Sequence, residues 1–183
     1  TGRISLYLND WTGACKDINF RKAVQAGIDK QMINDGVYAG RSEILNADMC
    51  SNYLSFVTEA DGVEVVPYDQ EAAKEYLAKS NYNGEEFAVS VPSGSALENV
   101  GKIIQAQLME IGINCTVKAT DYPTYSGEFA NRTYEAYIIN NLCSLVDADG
   151  MYTAHRLDRK PWENRVFKRD GEISEILLKA RAA

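Results

Sequence analysis

The segment from Phe87 to Val117 constrains this chain most. Phe87, Val89 and Val91 alternate with Glu86, Ala88 and Ser90, the period-two pattern of a strand. Pro92-Ser93-Gly94 turns the chain into Ser95-Ala96-Leu97-Glu98, which has the spacing of a capping box: hydroxyl to the N3 amide, Glu98 reaching back. Leu97, Val100, Ile104, Leu108 and Ile111 then share one helical face. Gly112 suits a left-handed helix end, and Ile113, Cys115 and Val117 resume the strand pattern. A strand, a helix and a second strand in this order make a right-handed parallel crossover, so the chain must be built on an α/β sheet.

The flanking segments agree with that plan. Ile4 to Leu8 reads as a strand, followed by a turn at Asn9 to Gly13. Asp17 can cap a helix carrying Phe20, Val24 and Ile28, and Asp29 can cap a second helix to about Tyr38, with Met32 and Ile33 on its apolar side. Residues 39–66 lack periodicity and read as a long surface excursion. Asp69 caps a helix to about Lys79, with Ala73, Tyr76 and Leu77 as its stripe. Asp121-Tyr122-Pro123 opens a short helix to about Phe129, and Tyr134 to Ile139 is a further strand. Asn140 to Asp149 reads as a polar loop, residues 150–170 as irregular, and Glu172 to Ala183 as a helix through Ile173, Ile176 and Leu177.

Charge and chemistry then narrow the function. The 183 residues suffice for one good-sized core, and the net charge of -7 argues against nucleic acid as a partner and gives no pull toward an anionic membrane surface. No apolar run approaches the roughly 20 residues needed to span a bilayer. Thr1-Gly2-Arg3 carries no leader, which fits either a cytosolic protein or a piece of a longer precursor. Cys15, Cys50, Cys115 and Cys143 are too widely spaced for a zinc template. Cys115, inside a strand pattern, reads as a buried thiol, and Cys15 and Cys50, in loops, are the better candidates for a disulfide in an oxidising compartment. No G-x-S-x-G elbow, P-loop or G-x-G-x-x-G turn occurs, and the single histidine, His155, beside Arg156 in a polar segment, reads as solvated and argues against Ser–His or Cys–His catalysis. Asp147-Ala148-Asp149-Gly150 lacks the bidentate glutamate of a calcium loop and reads as a solvated turn. No enzyme, cofactor or metal site is expected.

In order along the chain, the residues resemble one family. Asp17 to Ile33 resembles the D-V-R-V-R-Q-A-I-x-x-A-I-D-R-x-x-I stretch of the family 5 extracytoplasmic solute-binding proteins, the binding components of ATP-driven dipeptide, oligopeptide and nickel importers. Pro67-Tyr68-Asp69 with Ala72, Lys74 and Leu77 is similar to its Y-D-P-E-K-A-K-x-L-L helix. Asn81-Tyr82 with Gly84 and Phe87 resembles A-G-Y-x-x-G-F, Gln107 to Ile113 resembles the L-x-x-I-G-I crossover, and Tyr122 with Tyr125 resembles the W-x-x-Y pair. The resemblance implies a periplasmic-binding-protein-like (type II) α/β lobe, with a mixed, mostly parallel sheet flanked by helices. Residues 1–183 would be one lobe, on the C-terminal side of a two-lobe protein. It also implies an extracytoplasmic location, which favours a disulfide, and a lipid anchor far upstream as the one link to the membrane. The implied partners are a small-molecule or peptide ligand, the second lobe and the ABC permease subunits.

The same resemblance implies the ligand-binding residues. One group is the loop before the capping-box helix, with Ser93 and Ser95, where dipeptide binders carry an arginine that is missing here. The aromatic Tyr122 is a second element. The third is the stretch where the family reads G-W-x-x-D-x-x-D-P: Asn140 and Asn141 stand at Gly-Trp, Ser144 at the first Asp and Asp147 at the second. The family's Asp takes the peptide α-ammonium, so its replacement by Ser144 implies weak binding of unmodified peptides. Asn140, Asn141 and Ser144 suit neutral hydrogen bonding to a sugar, a modified peptide or a metal chelate. The alternative reading is a ligand-sensing domain of a regulatory or chemotaxis-type protein with the same fold.

Overall fold

A computed structural model describes residues 2–46, 62, 65–142 and 171–182. The strands are β1 (Gly2–Leu8), β2 (Phe87–Pro92), β3 (Cys115–Thr120) and β4 (Ala136–Leu142). The helices are α1 (Ile18–Ala26), α2 (Lys30–Tyr38), α3 (Gln70–Ala78), α4 (Ala96–Glu110), α5 (Tyr122–Asn131) and α6 (Gly171–Ala182). The strands form one four-stranded sheet in the order β1-β4-β2-β3. β2 pairs parallel with β3 from Phe87↔Cys115 to Pro92↔Thr120, as the strand–helix–strand reading expects. β2 also pairs parallel with β4 through Val89↔Ala136 and Ser90↔Tyr137. β1 runs antiparallel along β4 from Gly2↔Leu142 to Leu8↔Ala136.

Aspartate caps place the helices. Asp17 Oδ1 accepts from Asn19 N at 2.8 Å and its Oδ2 from Asn81 N at 2.8 Å, which ties the start of α1 to the turn before β2. These amides, Asn81 first, hold the Asp17 carboxyl below its ordinary range. Asp29 accepts from Gln31 N and Met32 N, Asp69 from Glu71 N and Ala72 N, and Asp121 from Thr124 N. Each bond satisfies an amide that the helix itself leaves without a partner.

The two sheet faces carry different cores. On one face, Phe20, Val24, Val89, Val91, Val100, Ile104, Leu108, Ile113 and Ile138 form a buried cluster beneath α1 and α4. Phe20 lies between the rings of Tyr82 (5.1 Å) and Phe87 (5.2 Å, edge to face). Gly101 lets α4 sit close on the sheet: a Cβ there would lie 3.2 Å from Val91 Cγ1 and 3.3 Å from Val117 Cγ1. On the other face, Tyr125, Tyr134 and Tyr137 pack with Tyr7, Phe129 and Ile139.

Several expectations are corrected. Met32 is 54% exposed, because the break at residues 27–29 resets the helical phase; Ile33 packs on the core instead. The Met32 sulfur accepts from Gln107 Nε2 at 3.4 Å. Ser90, expected on a polar face, is buried because α5 covers that side. Ile176, expected in the apolar stripe of α6, is 60% exposed. Asn140 and Asn141 belong to β4 rather than to a loop, because pairing with β1 carries the strand on to Leu142. Cys115 is a buried free thiol, as read, and so is Cys15, which the sequence offered with Cys50 as the better candidate pair for a disulfide. The Cys15 thiol points to the Glu135 carbonyl at 3.7 Å, and burial pushes it up to about 12. Cys50, Cys143 and His155 lie outside the described residues.

The 39–66 stretch begins as a strap on α2. Asn34 bonds Ser42 in both directions, at 2.8 and 3.0 Å, and Lys30 Nζ donates to the Leu45 carbonyl at 2.8 Å.

Candidate functional site

β2, β3 and β4 run parallel, so their carboxyl ends share one rim of the sheet. β2 is a switch point: its helix α4 leads to β3 on one side, and β3 returns through α5 to β4 on the other. α4 packs with the aliphatic face and α5 with the tyrosine face, so the two crossovers part at the end of β2. In open α/β sheets such a point leaves a crevice beyond the strand ends, where ligands bind.

The loops at this rim are fastened together. Ser93 N donates to the Thr120 carbonyl at 2.8 Å, joining the β2–α4 loop to the end of β3. Ser93 itself is exposed. Gly94 carries a φ of 72°, which only glycine takes up without strain. The expected capping box is rearranged. Ser95 is the N-cap, but its hydroxyl donates back to the Pro92 carbonyl at 2.7 Å rather than accepting from the helix. Glu98 Oε2 accepts from Gly94 N at 3.0 Å, one residue before the box geometry, and its Oε1 holds Lys102 at 2.7 Å. Lys102 first, and then the Gly94 amide, keep the Glu98 carboxyl below its ordinary range. A side-chain carboxylate therefore already occupies the anion-accepting position at the start of α4.

Tyr122 opens α5 and is 70% exposed, with its ring 6.1 Å from that of Tyr125. Behind it the tyrosines are bonded and dry. Tyr125 stacks on Tyr137 at 4.1 Å; the Tyr125 hydroxyl donates to the Ile138 carbonyl at 2.6 Å, and the Tyr137 hydroxyl to the Tyr125 carbonyl at 3.1 Å. Burial pushes Tyr125 and Tyr134 up to about 12.

The predicted site residues are only partly brought together. Extending the Ser90↔Tyr137 register by three residues puts Asn140 level with Ser93, so both sit at the rim. Asn140 and Asn141 are neighbours on a strand and take opposite faces. Asn140 is exposed on the aliphatic side beside Gly2, where any Cβ would collide with its Oδ1. Asn141 is half-buried on the tyrosine side and its Nδ2 donates to the Tyr7 hydroxyl at 2.7 Å. Ser144 and Asp147 lie outside the described residues. Among the described residues, no group of three or more His, Cys, Asp or Glu side chains could hold a metal.

The structure adds residues that spacing did not single out. Thr120 supplies the carbonyl that anchors Ser93, and its own hydroxyl is buried with no hydrogen-bond partner among the described residues. Tyr7 is recruited by the β1–β4 register. Glu128, on α5, is buried beneath the tyrosine face; it accepts from the Ser90 hydroxyl at 2.7 Å and pairs with Lys118. A buried glutamate in an otherwise ordinary helix leaves no periodic signal.

The family model for bacterial extracellular solute-binding proteins, family 5 Middle, matches residues 2–160. The chain belongs to this family. Solved structures of the same fold include the ABC transporter substrate-binding protein CtaP of Listeria monocytogenes, with 20% identity and a TM-score of 0.85. A second is AgaA of A. tumefaciens R10, solved with agropinic acid (22%, 0.84), and a third the oligopeptide-binding protein AppA of Bacillus subtilis, solved with a nonapeptide (18%, 0.82). Each likeness covers 100% of this chain and only 39%, 38% and 39% of the relative. A comparison with curated protein sequences finds no match. Family 5 membership bears out the reading as a solute-binding protein, and the family is one of binding proteins rather than enzymes. The mixed sheet between helices is the expected lobe architecture. No helix among the described residues is long and apolar enough to cross a membrane.

Proposed function

We propose that residues 1–183 are one lobe, on the C-terminal side, of the substrate-binding component of an ABC importer. The ligand is held noncovalently where the carboxyl ends of β2, β3 and β4 meet the start of α4 and α5. The observation that carries this reading is the switch point at β2, with Ser93, Tyr122, Asn140 and Asn141 at its rim. Ser95 shapes the β2–α4 loop through its bond to Pro92. Ser144 and Asp147 come two and five residues after the end of β4 in sequence and complete the proposed set. A second lobe closes over the ligand by hinge motion, the closed form docks on the permease subunits outside the membrane, and an upstream lipid anchor keeps the protein at the surface.

The ligand meeting this lobe is a polar solute other than an unmodified peptide with free termini. Ser144 cannot pair with an α-ammonium as an aspartate would. Glu98 already holds the Gly94 amide that a ligand carboxylate would need. AgaA and AppA, similar in fold over this chain, were solved with agropinic acid and a nonapeptide. So the scaffold accommodates different chemistry, and the rim side chains set specificity. Calorimetry on the full-length protein tests the point. Unmodified dipeptides and tripeptides are expected to bind poorly; micromolar binding of several of them would overturn the ligand assignment.

A further inference from the structure

The turn that leads into β2 holds the one Asn-Gly pair in the sequence, Asn83-Gly84. Both residues are exposed. Gly84 has a φ of 86°, and a Cβ placed on it would meet nothing within 4 Å, so the flank of the peptide bond is open to solvent. Among the described residues, no acceptor takes the Gly84 amide proton. The Asn83 side chain is held lightly: Nδ2 donates to the Asn81 carbonyl at 3.0 Å, and the main-chain N–H of Asn83 donates to Glu85 Oε2 at 2.8 Å. The other asparagines are followed by residues with side chains that crowd the next amide.

We propose that Asn83 is a site of spontaneous deamidation in the folded protein. The Gly84 nitrogen gives its proton to solvent hydroxide and attacks Asn83 Cγ. The Cγ–Nδ2 bond breaks, ammonia leaves and a five-membered succinimide forms. Water then opens the ring. Cleavage of the N–Cγ bond gives aspartate; cleavage at the main-chain carbonyl gives isoaspartate, with one extra backbone carbon. No electrons are transferred, and water is the sole co-reactant. The product puts a new negative charge beside Glu85 and Glu86 and converts the donor to Asn81 into an acceptor facing a carbonyl. Isoaspartate also lengthens the turn that three bonds hold in shape: Tyr82 hydroxyl to the Glu85 carbonyl (2.7 Å), Asn114 N to the Tyr82 hydroxyl (2.8 Å) and Asn114 Nδ2 to the Gly84 carbonyl (3.4 Å). The modification therefore loosens the approach to β2, at the end of that strand remote from Ser93.

Peptide mapping by mass spectrometry after incubation at mildly alkaline pH tests this, with the folded full chain compared with the same chain in denaturant. The expected result is that Asn83 converts first among the asparagines, with aspartate and isoaspartate both present, at a folded-state rate within tenfold of the denatured rate. The Asn83→Gln variant should remove that fast phase. A folded-state rate slower than this limit, or faster conversion at another asparagine, would overturn the proposal.

Discussion

The two faces of the sheet solve the same packing problem with different chemistry. Beneath α1 and α4 the core is aliphatic, with Leu108, Val89, Val91 and Ile138 completely or almost completely buried. Its energy comes from apolar area and close contact, which are lost in proportion to the atoms removed. Beneath α5 the core is built of tyrosines, of which Tyr125 and Tyr137 donate their hydroxyls to carbonyls, with Glu128, Ser90 and Lys118 bonded beside them. That face depends on satisfied polar groups, and it opens toward the rim through Tyr122 and Asn141. The aliphatic face is thus the part that holds the fold, and the tyrosine face the part that can present hydrogen-bonding groups to a solute.

The largest expected effect lies on the aliphatic side. Leu108→Ala should lower unfolding free energy by about 3 kcal/mol, read from denaturant unfolding; a loss below about 1 kcal/mol would mean the cavity collapses and the two faces differ less than described. Glu128→Ala, on the tyrosine side, should cost about 2 kcal/mol, since it strands the Ser90 hydroxyl and removes the partner of Lys118. If Glu128→Ala proved the more damaging of the two, polar bonding rather than apolar burial would dominate the core.

A smaller effect is expected at the cap that joins the two halves of the chain. Asp17→Ala should cost about 1 kcal/mol at neutral pH. The Asp17 carboxyl lies below its ordinary value of 3.8 in the folded protein, because the Asn81 and Asn19 amides favour its charged form. Its contribution is therefore fully present above the unfolded value and is lost as pH falls through the lower, folded value. The gap between wild type and variant should close on acidification, and a gap that stays constant would show the cap acts through something other than its charge. Of the same order as Asp17→Ala, Tyr137→Phe should cost about 1 kcal/mol, the net worth of one hydroxyl bond to the Tyr125 carbonyl, because the stacked ring is kept.

The legible parts of the fold were those written in short-range pattern. The caps at Asp17, Asp29, Asp69 and Asp121, the stripe from Val100 to Ile111 and the parallel pairing of β2 with β3 all follow from local spacing. What spacing could not show is nonlocal. The antiparallel β1–β4 pairing joins the first and last strands, and it alone turns Asn140 and Asn141 from loop residues into strand residues on opposite faces. Ser90 looked like the polar side of a strand until α5 covered it. The Ser95 box had the right letters, yet its hydroxyl found the nearer Pro92 carbonyl and Glu98 turned to Gly94. At the proposed site, Ser93 and Tyr122 were suggested by family resemblance, while Thr120 and Tyr7 entered only through tertiary contacts.

Native mass spectrometry of the full-length protein shows whether a solute sits at this rim, with wild type compared with Tyr122→Ala and Asn141→Ala. The expected result is a co-purified small solute on the wild type, released on denaturation, and at least a tenfold lower occupancy in both variants while the fold is retained. A solute retained undiminished in both variants would contradict it, because the ligand would then lie away from the rim of β2, β3 and β4.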